Sequence, residues 1–438
     1  MTSSPAWRRE RRYPMSALTD RIAQEFASSA QVLRGGGQAA AVGRRRALDA
    51  LAAKGLPTSR DENWKYANLR SLERARFVPV PPVETLPAAA ELPPALPDIA
   101  RYVFIDGHFA PAVSAPLQAG VVSRTAQAGD GATMADERFA LLNQAFATDG
   151  LTIEVGETHE RPLQLEVLFV ASAAAQNGGS YPRLEVRLHP RAQLTLIERH
   201  LSAAQEGNFV TSAVEVEAAL GAHLEHYRLQ ELNARSLLFD TLSARLAADA
   251  AYRLHAISTG AQSARSTLAL RLAGERADLS LAVAALGARQ QVQDTYAVVE
   301  HAVANARTVQ TFRGIAADRA RVAFNGKIIV LPGAHGTDSR QSLRGLLAGP
   351  EAEIDVRPQL EIYNDDVRCS HGATAGKLDE AMLFYLLSRG LDHATAQRLL
   401  KWAFLEDVIS QVTLAPLRRQ VEERLAGQLR DEALRELL

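Results

Sequence analysis

From Leu151 to Ile362 the apolar residues fall on every second position. Leu151, Ile153 and Val155 alternate with polar or small residues, as do Leu163, Leu165 and Val167, then Leu184, Val186 and Leu188, then Leu194 and Leu196, and later Val214 and Val216. A period of two places these side chains on one face of a pleated chain, so this stretch predicts strands. Both ends change period. From Ser16, suited to a helix N-cap, Leu18, Ile22 and Phe26 recur every four residues, and Val42 to Ala53 continues in helix formers. Near the other end, Leu378, Met382 and Leu386 make one helical stripe, Leu399, Trp402, Leu405 and Ile409 a second, and Leu417, Val421, Leu425 and Leu429 a third. Between the first two, Gly390 suits a helix stop and Asp392 a new N-cap.

A short element recurs inside the strand region. It begins at Ala192, Ala222, Ala250, Ala277, Ala320 and Ala352, at steps of 30, 28, 27, 43 and 32 residues. A degenerate repeat near 30 residues, with almost no helical period inside it, predicts stacked coils of a β-solenoid, each burying its inward Leu, Ile and Val against the next. A β-sandwich is the alternative, because alternation alone does not separate stacked coils from two packed sheets.

Seven prolines between Pro79 and Pro97 exclude a helix or a central strand there. The expected organisation is therefore an N-terminal helical region over 1–78, a Pro-rich linker over 79–100, a β-helix core over 101–376 and a C-terminal helical region over 377–438. Asp106-Gly107, after the strand-like Arg101 to Ile105, is a hairpin signal. Trp64 and Tyr66, two apart among charges, predict an aromatic clamp between a helix and its neighbour. The terminal helices are expected to cap the solenoid or to form a docking surface.

Composition narrows the function classes. The 438 residues are 47% hydrophobic and 23% charged, which excludes a disordered or collagen-like chain. Forty-nine Lys and Arg against fifty Asp and Glu leave a net charge of -1, so no general electrostatic field holds this chain to nucleic acid. Arg8, Arg9, Arg11 and Arg12 precede Met15 without apolar periodicity and suggest a frayed tail or an alternative start at Met15. No apolar run approaches the roughly 18 residues of a membrane span, and no signal-peptide core opens the chain, so the expected location is cytoplasmic, with no membrane partner. The single cysteine, Cys369, forbids an intrachain disulfide and any internal zinc site of several thiolates. No Walker A sequence or strand-anchored G-x-G-x-x-G is present, and Gly35-Gly36-Gly37 is a plain linker between helical segments, so the chain is not expected to be an ATPase.

The densest chemical signal runs from Leu360 to Thr374. If Val367 to His371 is extended, Cys369 and His371 point to one face, where a thiolate and an imidazole could share a soft metal. Two ligands do not close a site: zinc wants about four and an iron–sulfur cluster usually four thiolates, so a metal here needs ligands from another chain or is held in transit. A buried cysteine and a hydrogen-bonded histidine at a strand end is the plain alternative. A Cys–His nucleophile lacks a recognisable oxyanion hole or orienting group. Asn364-Asp365-Asp366, which suggests calcium as in sugar-cleaving β-helices, lacks an EF-type spacing. His200, His223, His226, His255 and His301 are expected to be satisfied strand residues rather than ligands.

These residues also carry a resemblance. Cys369-Ser-His371-Gly372-Ala-Thr374-Ala-Gly376-Lys-Leu378-Asp379-Glu380, followed by Leu383-Phe384-Tyr385-Leu386-Leu-Ser388-Arg389-Gly390, resembles the C-terminal signature of the SufB/SufD family of the SUF iron–sulfur cluster assembly machinery. Pro358 to Ile362, Phe324-Asn-Gly326-Lys-Ile328-Ile-Val330, Glu198-Arg-His200 and Glu62-Asn-Trp64-Lys-Tyr66 are similar to further family positions, so the likeness spans about residues 16 to 435. SufB members carry V-E-H-E-A in the corresponding segment and a cysteine-bearing Q-C-D where this chain has Gln341-Ser342-Leu343, which favours the SufD branch. The resemblance implies a right-handed parallel β-helix between helical ends, and a non-catalytic scaffold rather than an enzyme. It further implies pairing with a SufB paralogue, a SufC ATPase docked on the C-terminal helices, and a transient iron–sulfur cluster at the SufB–SufD interface near His371 and Cys369. Whether a flavin joins the complex stays open. The competing function class is a β-helix enzyme acting on a polysaccharide.

Overall fold

The structure is a computed structural model and describes residues 14–34, 37–83, 92–125, 136–157 and 161–429. The basic run Arg8 to Arg12, Gly35, Gly36 and the middle of the proline stretch lie outside the described residues. From Leu163 onward the chain lays successive strands alternately into two long sheets. One sheet carries Gln193–Ser202, His223–Glu231, Ala251–Ser258, Asp278–Gly287, Arg307–Ala317, Thr337–Ala348 and Val367–Gly376 as consecutive parallel neighbours. The other carries Leu237–Leu246, Ser263–Leu272, Val292–His301, Arg321–Val330 and Glu353–Ile362 in the same way. Parallel neighbours fed by a chain that changes sheet at every strand make a β-solenoid and reject the antiparallel sandwich.

In-register stacking explains the period of two. Leu194, Leu224, Tyr252 and Leu279 form one column of inward side chains, all 1% exposed or less. Each coil thus buries the apolar row of the next, and the lumen between the sheets fills with Leu, Val, Ile and Phe. The recurring alanines turn the corners. Ala192, Ala222, Ala250 and Ala277 are fully buried, and each follows a residue at positive φ: Arg191, Gly221, Asp249 and Arg276. A left-handed residue swings the chain round, and the small buried alanine follows the bend. Asn305 and Ala306 continue this series in the same sheet. Ala320 and Ala352, by contrast, precede strands of the opposite sheet, so the 43-residue step marks a change of sheet.

Two outer clusters fasten the helices. The helices α1 (Pro14–Ser28), α2 (Gly37–Lys54) and α3 (Arg138–Phe146) share a buried cluster with Trp64 and Phe77 and with Phe209 and Phe239 on the outside of the solenoid. Trp64 is the expected clamp: its indole lies 5.1 Å from Phe139, the Arg265 guanidinium stands 4.4 Å from its ring, and its N–H donates to Asp136 at 2.6 Å. Asp106 and Gly107, at φ 51° and 88°, form the tight hairpin between Ala100–Ile105 and His108–Phe109. Parts of the proline stretch are tied down: Pro79 bridges to Gly179, Leu96 is buried, and the carbonyls of Pro93 and Pro94 accept from Arg101.

The C-terminal helices α4 (Glu380–Ser388), α5 (His393–Ile409) and α6 (Ala415–Gln428) follow their predicted signals, with Gly390 at φ 90° and the Asp392 carboxylate accepting from the Thr395 N–H. Their location differs from a cap. Leu405, Val408, Ile409, Leu417, Val421 and Leu425 pack against Ile197, Tyr227, Leu229, Ile257, Leu286 and Ile315 on the flank of the solenoid. Arg313, on that flank, donates to the Asp407 carboxylate at 2.8 Å. The last coil is left uncovered: neither Glu353–Ile362 nor Val367–Gly376 contains a buried residue, and each is the terminal strand of its sheet.

Candidate functional site

The open end carries the chemistry that the sequence singled out. Val367–Gly376 is extended and pairs on one side only, with Thr337–Ala348. Alternation points Val367 and Cys369 inward, where both pack against the luminal cluster, and His371 shares their face. Two strand residues apart, the pair is separated by roughly 6.6 Å along the backbone. Cys369 is partly buried, whereas His371 is exposed. Burial, reinforced by the Asp338 carboxylate, pushes the Cys369 thiol above its ordinary value, and a bond from the Ser339 backbone N–H opposes this. The thiol is thus held protonated at neutral pH, and a metal ion capturing it displaces a proton.

Cys369 and His371 remain two donors. Among the described residues no group of three or more His, Cys, Asp or Glu side chains is placed to hold a metal. Asn364, Asp365 and Asp366 form a turn in which the Asn364 side chain accepts from the Asp366 N–H, and the Asp366 carbonyl accepts from Gly336 of the preceding coil.

Four of the five strand histidines named above bond a neighbouring side chain through at least one ring nitrogen, and the Nδ1 atoms of His200, His255 and His301 are buried without a partner. Near the opposite end of the lumen, fully buried Glu198 accepts from His200 at 2.6 Å and from the Arg228 guanidinium at 2.9 Å, and lies 3.1 Å from His226 Nε2. Arg228 also pairs with buried Asp240 at 2.8 Å. Burial alone drives the Glu198 carboxyl up, yet Arg228 and the two histidines together hold it well below the usual carboxylate range. Desolvation keeps His226 neutral, as it does His301, whose pKa falls to about 4 beside Thr308. His255 pairs with Glu225 at 2.7 Å. His223 is exposed at the start of its strand. The sequence offered only Glu198-Arg-His200 as a hint of this network; its other members converge from strands 28 to 42 residues away.

A second feature was only partly legible in the sequence, which placed Met382 in the first C-terminal stripe. Helix α4 has no buried residue, and Met382, Phe384 and Tyr385 are 58%, 72% and 56% exposed. In the second C-terminal stripe, on α5, Leu405 and Ile409 are core, and Leu399 and Trp402 are partly buried. Periodicity finds an apolar face but not what covers it.

Residues 169–404 match the family model for the SufBD core domain, described as SUF system FeS cluster assembly. The chain is 32% identical over 387 residues to the iron–sulfur cluster assembly protein SufD of Escherichia coli, covering 87% of this chain and 91% of that protein. It is 29% identical over 409 residues to an iron–sulfur cluster assembly SufBD family protein of Synechocystis sp., covering 87% and 89%. These matches give no support to a polysaccharide-cleaving enzyme. A solenoid that ends in an open coil bearing Cys369 and His371, together with likeness along nearly its whole length, makes this chain a member of the SufB/SufD family of iron–sulfur cluster assembly proteins.

Proposed function

We propose that this chain is a non-catalytic scaffold subunit of a SUF assembly complex, pairing end to end with a SufB paralogue so that a nascent iron–sulfur cluster, the cargo, is built at the junction. The observation that carries this reading is the uncovered last coil, with two unpaired strand edges and the only cysteine beside an exposed histidine. Unpaired edges are templates for another chain's strands, and an isolated protein normally covers or charges them. His371 and Cys369 supply one imidazole and one thiolate, and the paralogue completes the set. The exposed apolar face of α4 supports docking of the SufC ATPase on the C-terminal helices, because Phe and Tyr anchors with adjacent charge suit a partner surface.

Native mass spectrometry of the complex purified from cells tests the pairing and gives its stoichiometry; a chain that copurifies with neither a SufB paralogue nor an ATPase overturns it. The visible spectrum of the same complex decides whether a flavin is bound. His371→Ala is expected to keep the complex intact but to abolish or sharply lower cluster assembly, since losing one ligand from a transient site removes much of its affinity. Full cluster maturation by that variant overturns the ligand assignment.

A further inference from the structure

Behind His371 the lumen is polar where it could have been apolar. Parallel register stacks Leu254, Leu281, Gln310, Gln341 and His371 in one inward column on successive coils. The first two are buried leucines, and the next two are amides 0% and 4% exposed. Gln341 Nε2 donates to Gln310 Oε1 at 3.0 Å and to the Gly326 carbonyl at 3.0 Å. Both amide hydrogens are therefore committed, which fixes the orientation of the group: Nε2 inward, Oε1 as acceptor. Gly326 belongs to the same arrangement, since a Cβ there would lie 2.8 Å from Gln341 Nε2 and 2.9 Å from Gln310 Oε1. Gln341 Oε1 is buried and has no hydrogen-bond partner, and Gln310 Nε2 of the same pair has none either. An unsatisfied buried acceptor is costly, so the Gln341 oxygen calls for a donor. The next side chain along the column is the exposed His371, on a neighbouring strand about 4.8 Å away.

We propose that Gln341 is a positioning residue for His371: its locked Oε1 accepts the N–H of one imidazole nitrogen and leaves the other nitrogen bare, facing the open end, as the metal ligand. This rests on the scaffold reading above and deepens it. An amide whose donors are satisfied elsewhere can only accept, so it selects one neutral tautomer and one ring orientation, as partners behind metal-binding histidines do. The column also ends there. Leu281 and Leu254 close the polar row, so it serves the end face and does not reach the Glu198 network.

The test uses the full chain labelled with ¹⁵N-histidine, with the His371 signals identified by their loss in His371→Ala. Long-range ¹H–¹⁵N spectra are expected to show His371 as one neutral tautomer, with one protonated and one bare nitrogen, and as an average of the two in Gln341→Met. Gln310→Met, which removes the anchor of the Gln341 amide but leaves position 341 intact, is expected to shift His371 partway to that average and covers the case in which Gln341→Met does not fold. Ser339→Ala, behind Cys369 in the next column, should leave His371 unchanged. Fe(II) titration of the assembled complex should show about 10- to 100-fold weaker binding for Gln341→Met. Averaged nitrogens in the native chain, or a single tautomer retained in whichever Gln variants fold, overturns the positioning role. That failure differs from failure of the scaffold reading, in which His371→Ala itself leaves cluster assembly untouched whatever the tautomer.

Discussion

Cys369 is the only thiol, so its chemistry is open to direct measurement. Burial beside Asp338 raises its pKa, and alkylation follows the thiolate. The pH–rate profile of iodoacetamide labelling, followed by mass spectrometry, should therefore have its midpoint above that of an ordinary thiol, near 8.5. Pairing with the paralogue should protect the thiol. Cys369→Ser is expected to impair cluster assembly less than His371→Ala, and an equally severe loss would make the thiol a principal ligand. His301 makes the opposite kind of residue-scale prediction. Its folded pKa, about 4, lies below the ordinary histidine value of about 6.5, so it stabilises the fold fully above pH 6.5. That contribution is lost as pH falls from 6.5 towards 4, by about 3 kcal/mol in all. Urea midpoints measured across that window should fall in the native chain and fall less in His301→Gln. For Glu198, removing the partner of a buried arginine and two histidines by Glu198→Ala should cost about 3–5 kcal/mol.

At the scale of elements, the two apolar surfaces of the C-terminal region separate by burial. Leu405 sits 1% exposed between α5 and the solenoid flank, and Leu405→Ala should cost about 2–5 kcal/mol of stability. Removal of residues 392–438 uncovers Ile197, Tyr227, Leu229, Ile257, Leu286 and Ile315, and light scattering should then report aggregation rather than a soluble chain that has merely lost a partner. On α4 the expectation reverses. Phe384→Ala, on a side chain 72% exposed, should leave the thermal midpoint almost unchanged and weaken ATPase binding measured by calorimetry. The stripes at three- and four-residue spacing made all three helices legible, because helical periodicity depends only on spacing along the chain. Which stripe would be covered was not legible, because that depends on strands more than 90 residues away, such as the one carrying Arg313, the partner of Asp407.

For the whole molecule, stacked coils share their stability with their neighbours, so the coil that has only one neighbour should open most easily. Hydrogen exchange should be fastest within Val367–Gly376 and slowest in central strands such as Leu237–Leu246, and addition of the paralogue should slow the terminal strand selectively. Equal exchange with and without the partner would argue against end-to-end pairing. The chain's own pattern determined the coils: a period of two specifies strands with one buried face, and corner alanines near every 30 residues specify where they turn, both by local sterics. The extended geometry of Cys369 and His371 lies beyond that pattern, which ends at Ile362, and comes from the pairing of Val367–Gly376 with Thr337–Ala348. Tertiary structure decided the rest. Parallel register excluded the sandwich, laid α5 and α6 along the flank and left the last coil open. It also brought Glu198, His226, Arg228 and Asp240 into one network and set Gln341 behind His371. Each of these is a contact between coils, fixed by which residues stack across about 30 positions of sequence, and nothing local to either partner encodes it.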